Sequence, residues 1–168
     1  MQIYLRKYTD EYKQKVIEQI AKFFGFHINL ANSSGIVKID YSIAEKNLSN
    51  WVNEESELYL IVAQDIVVGF LRIGYRGDNV AWIEDVFVDE EYRNQGIATE
   101  SIQLAEKIIE ERAGYDAVCI DVVPRNSAAL SLYYKLGYDK LSILTVRKDL
   151  SPKKDNTTEF ILGHKYKI

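Results

Sequence analysis

The spacing of hydrophobic residues changes along this chain, and in the first half it predicts a strand, two helices and then three further strands. The segment IYLRKY, residues 3–8, has the period of a half-buried strand. Apolar residues recur at helical spacing over residues 12–24, with Gly25 expected to end that helix, and more briefly over residues 41–52. The stretch HINLANSSGIVKID between them has loop composition. The runs LYLIVAQ, IVVGFLRIGYR and VAWIEDVFV then predict an antiparallel meander.

The second half has a different organisation. An amphipathic helix is predicted over residues 97–112, followed by DAVCIDVV, a continuous apolar strand of the kind that is buried on both faces. A helical crossover favours parallel pairing of this strand with VAWIEDVFV. A helix from Asn126 to Leu136, a strand YDKLSILTVRK and a final strand EFILGHKYKI follow. We therefore expect one mixed α/β domain over residues 1–168, in which an antiparallel meander precedes a β-α-β-α-β half.

Composition narrows the classes of function. The formal charge is −4 with 27% charged residues, so a nucleic-acid partner is not expected and a cationic partner suits the balance better. Cys119 is the only cysteine and lies in an apolar run, which excludes an internal disulfide and a cysteine metal cluster. We expect a cytoplasmic protein that needs no metal and no membrane. The apolar final strand leaves a homodimer open.

The loop between VAWIEDVFV and the helix that begins near Ile97 carries the first candidate site. The first amides of a helix are unpaired, and with the helix dipole they favour an anion. Gly96 lets a backbone approach closely, Ala98 is nearly as small, and Arg93 offers a cation to a phosphate. The loop has neither the Lys-Ser/Thr pair of a P-loop nor a G-x-G-x-x-G. By itself it predicts either an anion site or an ordinary turn.

A second motif lies thirty residues further on, where RNSAALSLYYKLGY contains the pattern N-x-x-A-x-x-L-Y-x-x-x-G-Y. Together with R-x-x-G-x-A in YRNQGIAT, it resembles the GNAT superfamily of acetyl-CoA-dependent N-acetyltransferases. The resemblance covers roughly residues 58–146 and departs from the usual pattern at Ala98, where a second glycine is commoner, and at Tyr138, which replaces Phe. It implies a GNAT-like fold whose central parallel strands splay apart.

The resemblance also implies which residues bind the cosubstrate, acetyl-CoA. The pantetheine arm is expected along the strand before the loop, and the pyrophosphate on the loop amides, with Asn126 and Tyr133 nearby. The expected cofactor residues are Val86, Phe87, Val88, Arg93, Asn94, Gln95, Gly96, Ile97, Ala98, Thr99, Asn126 and Tyr133.

For catalysis the resemblance assigns Tyr133 as the acid that protonates the departing thiolate. A general base is also needed, since an amine with a pKa near ~10 is protonated at neutral pH. Glu84 and Asp85 are the candidates, with Glu84 preferred, and strict strand alternation would place them on opposite faces. Phe24, His27, Trp51, Trp82 and Asp121 are expected around the acceptor, where aromatic rings and carboxylates suit an amine cation.

Three functions follow from this reading. The first is transfer of an acetyl group to a primary amine of a small molecule, such as an aminoglycoside-, streptothricin- or polyamine-like cation, by direct attack in a ternary complex. The second is acetylation of a protein or peptide, which a long open groove would favour. The third, of another class, is a non-catalytic acyl-CoA-binding sensor domain.

Overall fold

The predicted meander forms the centre of a five-stranded sheet in the computed structural model, which describes residues 1–31, 40–52, 55–150 and 157–168. The sheet follows chain order, and its strands are β1 (Ile3–Lys7), β2 (Ser56–Ala63), β3 (Ile66–Gly74), β4 (Val80–Val88) and β5 (Ala117–Ile120). The first four strands pair antiparallel, and β5 pairs parallel with β4. The mixed α/β fold class expected from the sequence is confirmed.

Three helices cover the sheet: α1 (Lys13–Ala31), α2 (Tyr41–Trp51) and α3 (Ile97–Glu110). The first two bury their apolar sides on alternate residues of β2, including Leu58, Leu60 and Val62, together with Phe70 and Phe87. Helix α3 packs against β1 and β4. Because α3 follows β4 directly, the packing of these two elements fixes the loop between them, where the anion site was predicted.

Three boundaries differ from the sequence prediction in this part of the chain. Gly25 does not end α1, which continues to Ala31. Glycine inside a helix costs roughly 1 kcal/mol, but the ring of His27 packs against Phe23 at 4.4 Å, so the turn beyond the glycine is held by packing. The start of the expected loop is therefore helical, while residues 32–39 lie outside the described residues. Strand β5 is shorter than predicted, and its residues are half-buried or exposed rather than buried on both faces.

The chain divides into two compact units, Met1–Asp121 and Val122–Ile168. The second unit contains α4 (Ser127–Lys135) and an antiparallel hairpin of β6 (Thr158–Ile161) and β7 (His164–Lys167). The single final strand expected from EFILGHKYKI is wrong, because Leu162 and Gly163 adopt positive φ and fold the segment back on itself. The strand expected over residues 138–148 is also absent from the described structure. Within the second unit no described strand pairs with this segment, so its backbone has no ladder to join.

None of the helices among the described residues is long and apolar enough to cross a membrane.

Candidate active site

Strand β4 has a different partner over each part of its length. Its first part, Val80–Ile83, pairs with β5, whereas its pairing with β3 continues to Val88. The parallel pair therefore separates after Ile83, as the expected splayed arrangement requires. Residues 86–88, predicted to bind the pantetheine arm, lie in the part of β4 beyond that point. Val86 is half-buried, and Phe87 and Val88 are buried.

The backbone leaves β4 through a loop whose first residue is firmly held. Asp89 is 1% exposed, its N–H donates to the carbonyl of Val68 at 2.8 Å, and its own carbonyl accepts the N–H of Tyr92. Its carboxylate accepts bonds from Lys15, Gln19 and Lys22 of α1 at 3.1, 2.9 and 2.9 Å. Burial opposes ionisation, but these three donors outweigh it and hold the pKa of Asp89 below its usual value.

The loop ends in a glycine that opens α3. Gly96 has φ 80°, in the left-handed region, and a Cβ added there would meet no atom within 4 Å. A glycine offers no side chain to cap the first turn, and the first helical bond runs from Glu100 N–H to the Gly96 carbonyl at 3.0 Å. Asn94, Gln95 and Gly96 are exposed. The amides of Ile97, Ala98 and Thr99 thus begin a helix behind an exposed turn that has no side-chain cap, which suits an anion.

Arg93 has a structural role that the sequence did not indicate. Its Nε donates to the Val88 carbonyl at 3.0 Å, and its guanidinium lies 5.2 Å from the ring centre of Phe26 and 5.7 Å from that of Phe87. The side chain therefore closes the loop back onto β4 and α1. Its predicted contact with a phosphate stays a prediction.

A β-bulge separates the two candidate bases. Arg72 of β3 lies opposite Asp85, but Ile73 lies opposite Ile83, so Glu84 is an extra residue on β4. Strict alternation does not apply across a bulge. The expectation that strand alternation places Glu84 and Asp85 on opposite faces is therefore wrong, because the bulge interrupts the alternation. Arg72, which pairs with Asp85, lines the same cavity of about 200 Å³ as Glu84.

Asp85 lies in the more enclosed of two surroundings. Arg72 Nε donates to its Oδ2 at 2.8 Å, and both side chains are only 13% exposed. The guanidinium of Arg72 stands 4.7 Å from the ring centre of Trp51, which in turn lies 6.3 Å from Phe24. Two of the predicted acceptor residues, Phe24 and Trp51, are thus grouped on the side of Asp85.

His27 belongs to the same surroundings. It lies on α1 rather than in the loop expected there, in edge contact with the ring of Phe23. Burial lowers the pKa of His27, and the negative charge of Asp85 offsets only part of that effect. The imidazole is therefore neutral at pH 7.

Glu84 lies in more open surroundings. Its Oε1 is 2.9 Å from Nε of Arg76, a residue of the turn after β3 that is 53% exposed. The same guanidinium reaches Asp121 at 3.0 Å and covers the ring of Trp82 at 4.0 Å. Trp82 and Asp121, also predicted near the acceptor, are therefore grouped with Glu84 around Arg76. A Cβ on Gly74 would lie 2.8 Å from Cγ of Glu84, so the glycine leaves the space in which this side chain lies.

The cavity beside Glu84 is small and polar. Besides Glu84 and Arg72 it is lined by Glu55, Ser56, Gly74, Tyr75 and Arg76. A larger cavity of about 520 Å³ lies between the beginnings of α1 and α2, and its lining includes none of the residues predicted for the site. The candidate carboxylates and the loop residues are thus not part of the lining of the larger cavity.

The remaining predicted residues, Asn126 and Tyr133, belong to the second unit. Asn126 caps α4, since its side chain accepts the Ala129 N–H at 3.2 Å. Tyr133 is half-buried on α4 and packs at 6.1 Å from the ring of Tyr138. The sequence prediction of a helix opened by Asn126 is confirmed.

Sequence reasoning missed four residues that shape this site: Arg72, Gly74, Arg76 and Asp89. Arg72 was the most detectable, because it is the one charged residue within the apolar run IVVGFLRIG. Gly74 and Arg76 act on Glu84 across the β3–β4 hairpin, and Asp89 acts on α1, and no local pattern indicates these contacts.

A family model described as the acetyltransferase (GNAT) family matches residues 18–138, which is well over half of the chain. The chain belongs to the GNAT family of acetyltransferases. It is thus an acyltransferase, and the match includes β4, the loop, α3 and α4. The enzyme class expected from the two motifs is confirmed.

Solved structures share the fold. A probable acetyltransferase is 20% identical with a TM-score of 0.69, over 91% of this chain and 100% of that one. PaiA N-acetyltransferase from Thermoplasma acidophilum in complex with coenzyme A is 23% identical with a TM-score of 0.63, over 82% and 89%. AAC(6′)-Iy in complex with the bisubstrate analogue CoA-S-monomethyl-acetylneamine is 14% identical with a TM-score of 0.68, over 89% and 99%. No curated protein sequence matches the chain significantly.

Proposed function

We propose that this GNAT enzyme transfers the acetyl group of acetyl-CoA to a primary amine of a small cationic molecule, by direct attack in a ternary complex. One observation carries the proposal: β4 loses its β5 partner after Ile83 and runs straight into a loop whose glycine opens α3 without a side-chain cap. This arrangement offers backbone groups for a pantetheine arm and helix amides for a pyrophosphate in one continuous stretch. Similar folds in complex with coenzyme A or a CoA bisubstrate analogue support it.

The two carboxylates of β4 support a cationic acceptor. Asp85 and the ring of Trp51 hold the guanidinium of Arg72, and Glu84 and the ring of Trp82 hold that of Arg76. These groups therefore attract cations, and a substrate ammonium would take the place of a guanidinium there. The chain as a whole is acidic, with a formal charge of −4. A compact cation suits the cavity beside Glu84 better than an extended peptide does, because that cavity is about 200 Å³.

In the proposed reaction, Glu84 removes a proton from the substrate ammonium, directly or through water. The free amine then attacks the thioester carbonyl, forming a C–N bond and a tetrahedral intermediate. Collapse of the intermediate breaks the C–S bond; the nitrogen gives up its second proton and the CoA thiolate takes up one, so the products are the neutral amide and the CoA thiol. We assign that proton to Tyr133, as the sequence pattern implies. Tyr133→Phe tests the assignment, since loss of an acid lowers kcat by much more than it weakens the affinity for acetyl-CoA.

Glu84 suits the base better than Asp85 for a structural reason. Asp85 is held at 2.8 Å by Arg72, and both side chains are mostly buried, so protonation of Asp85 would remove the ionic attraction from a desolvated pair. Glu84 pairs with Arg76, whose side chain is half exposed and able to be solvated when the carboxylate changes charge.

The first test is calorimetric titration of the protein with acetyl-CoA, using Gly96→Trp as the variant. Space around Gly96 is open, so the indole clashes with no atom, although any side chain is strained at φ 80°, and it fills the position expected for the pyrophosphate. We expect micromolar binding by the wild type and none by the variant. Gly163→Trp is the matched control, because Gly163 has φ 82° and a Cβ there also meets nothing within 4 Å. Equal binding by wild type and Gly96→Trp would place the cosubstrate elsewhere.

The second test identifies the acceptor class by thiol release. The panel is kanamycin, spermidine and a peptide with a free N-terminus, each at saturating acetyl-CoA. We expect turnover with at least one of the two small cations. Turnover with the peptide alone would overturn the small-molecule assignment, and acetyl-CoA binding without turnover would favour the sensor domain.

We also propose that residues 1–168 act as one acetyltransferase domain. The family match supports this, because it runs from residue 18 to residue 138 and so continues from the first compact unit into the second. Expression of residues 1–121 alone tests it: one domain predicts that this fragment has no acetyltransferase activity.

A further inference from the structure

The carboxylate of Asp89, at the start of the loop, is buried and accepts three side-chain hydrogen bonds. Lys15, Gln19 and Lys22 lie three or four residues apart, on one side of α1, and all three reach Asp89. Oδ2 accepts from Lys15 and Gln19, and Oδ1 accepts from Lys22. Asp89 is therefore bonded through both oxygens to a helix that is 67 to 74 residues away in sequence.

This arrangement carries two costs, although the donors to Asp89 outweigh the cost of burying its charge. Asp89 and Gln19 are essentially buried, and a buried charge costs free energy even when it is paired. Gln19 must turn its amide nitrogen to the carboxylate, and its Oε1 then has no hydrogen-bond partner among the described residues. Apolar side chains would fill the same space without either cost. A cluster of this kind is better explained by the geometry it enforces than by the stability it gives.

The hydrogen bonds of Asp89 link two parts of the proposed site, the loop after β4 and helix α1. Asp89 follows β4 directly, its carbonyl starts the turn of residues 90–92, and the loop glycine lies seven residues further on. Helix α1 carries Phe24 and His27 two and five residues beyond Lys22. Phe26, on the same helix, lies 5.2 Å from the guanidinium of Arg93, also in the loop. The acceptor-side helix and the cosubstrate loop are thus joined at two points.

We propose that Asp89 is a positioning residue that fixes the acetyl-CoA loop to α1, so that the loop is held in its binding geometry before acetyl-CoA arrives. The inference rests on the proposed function, since it requires the loop to bind acetyl-CoA. Without the carboxylate, the two lysines repel each other and the start of the loop loses its anchor. Binding must then order the loop, and the affinity falls by that ordering cost.

The test compares acetyl-CoA affinity with thermal stability in Asp89→Asn. Asparagine keeps the size of the side chain and removes the charge. We expect the Kd for acetyl-CoA, measured by calorimetry, to rise about tenfold, the size of effect that ordering one or two side chains produces. Leu48→Ala is the control, because Leu48 is a buried core residue of α2 and its loss lowers Tm without touching the loop. A purely structural role predicts the same Kd change in both variants at equal loss of Tm.

Lys22→Met is a second test of the positioning role, for use if Asp89→Asn does not fold. This variant should fold, because the lysine side chain is half exposed and methionine keeps its apolar stem. We expect Lys22→Met alone to raise the Kd by less than tenfold, and an unchanged Kd would overturn the inference. Where Asp89→Asn folds, combining it with Lys22→Met should give no further rise. Equal effects in both backgrounds would mean that Lys22 contacts the cosubstrate itself, and would overturn the inference.

The two proposals fail in different ways. If the wild type does not bind acetyl-CoA, the proposed function is wrong. If the wild type binds and both Asp89→Asn and Lys22→Met bind equally well, only the positioning role is wrong.

Discussion

Glu84 and Asp85 are neighbours on β4, and each pairs with an arginine, yet their surroundings differ. The pair of Asp85 and Arg72 is 13% exposed at both side chains and lies against Trp51. The pair of Glu84 and Arg76 joins a carboxylate that is 16% exposed to a guanidinium on an exposed turn. The bulge at Glu84 allows two adjacent carboxylates to serve one site. The two pairs have similar distances and similar burial of the carboxylate, and they differ mainly in the exposure of the arginine side chain, which is 13% at Arg72 and 53% at Arg76.

The largest expected difference between the two carboxylates is in stability. Asp85→Asn takes one carboxylate away from Arg72, which is largely buried, so we expect a loss of roughly 3 kcal/mol in the free energy of unfolding. Glu84→Gln disrupts a pair with a half-exposed partner and should cost less than about 1 kcal/mol. Denaturant titration of both variants measures the two values. Equal losses would show that the two ion pairs do not differ in the way described.

A middle-sized effect is expected at Gly74, which leaves room for Glu84. In Gly74→Ala, the new methyl group meets the far end of a flexible glutamate side chain, which moves aside at little cost in stability. We expect kcat to fall about tenfold, since displaced catalytic groups lose reactivity steeply, with unchanged affinity for acetyl-CoA. Steady-state kinetics and calorimetry measure the two quantities. Unchanged kcat would show that the present position of Glu84 is not the one used in the reaction.

The smallest expected effect is a pH dependence on the Asp85 side. The pKa of His27 is lowered in the folded protein by burial, so the unfolded chain binds the proton more readily. The stability contributed by neutral His27 is full above its unfolded pKa of about 6.5 and is lost as pH falls through the folded pKa. His27→Gln should remove this part of the slope. Thermal unfolding of both proteins between pH 5 and 8 checks it, and identical slopes would contradict the assignment.

Much of the first unit could be predicted from the sequence because its signals are local. The run VAWIEDVFV gave β4 at its observed bounds, and Gly96 marked the start of α3. The bulge could not be predicted, since it depends on the cross-strand pairing of Arg72 with Asp85. The same holds for Asp89, whose partners on α1 lie about seventy residues away. In the second unit, the turn at Leu162 and Gly163 was missed because leucine rarely adopts positive φ.

The most direct test of the account compares kcat/KM for Glu84→Gln and Asp85→Asn with the best acceptor from the amine panel. A general base contributes roughly 100- to 10,000-fold, so Glu84→Gln should lose at least 100-fold while binding acetyl-CoA as the wild type does. Asp85→Asn, measured below its Tm, should lose much less. A larger loss in Asp85→Asn, or near-normal turnover in Glu84→Gln, would contradict the assignment of Glu84 as the base.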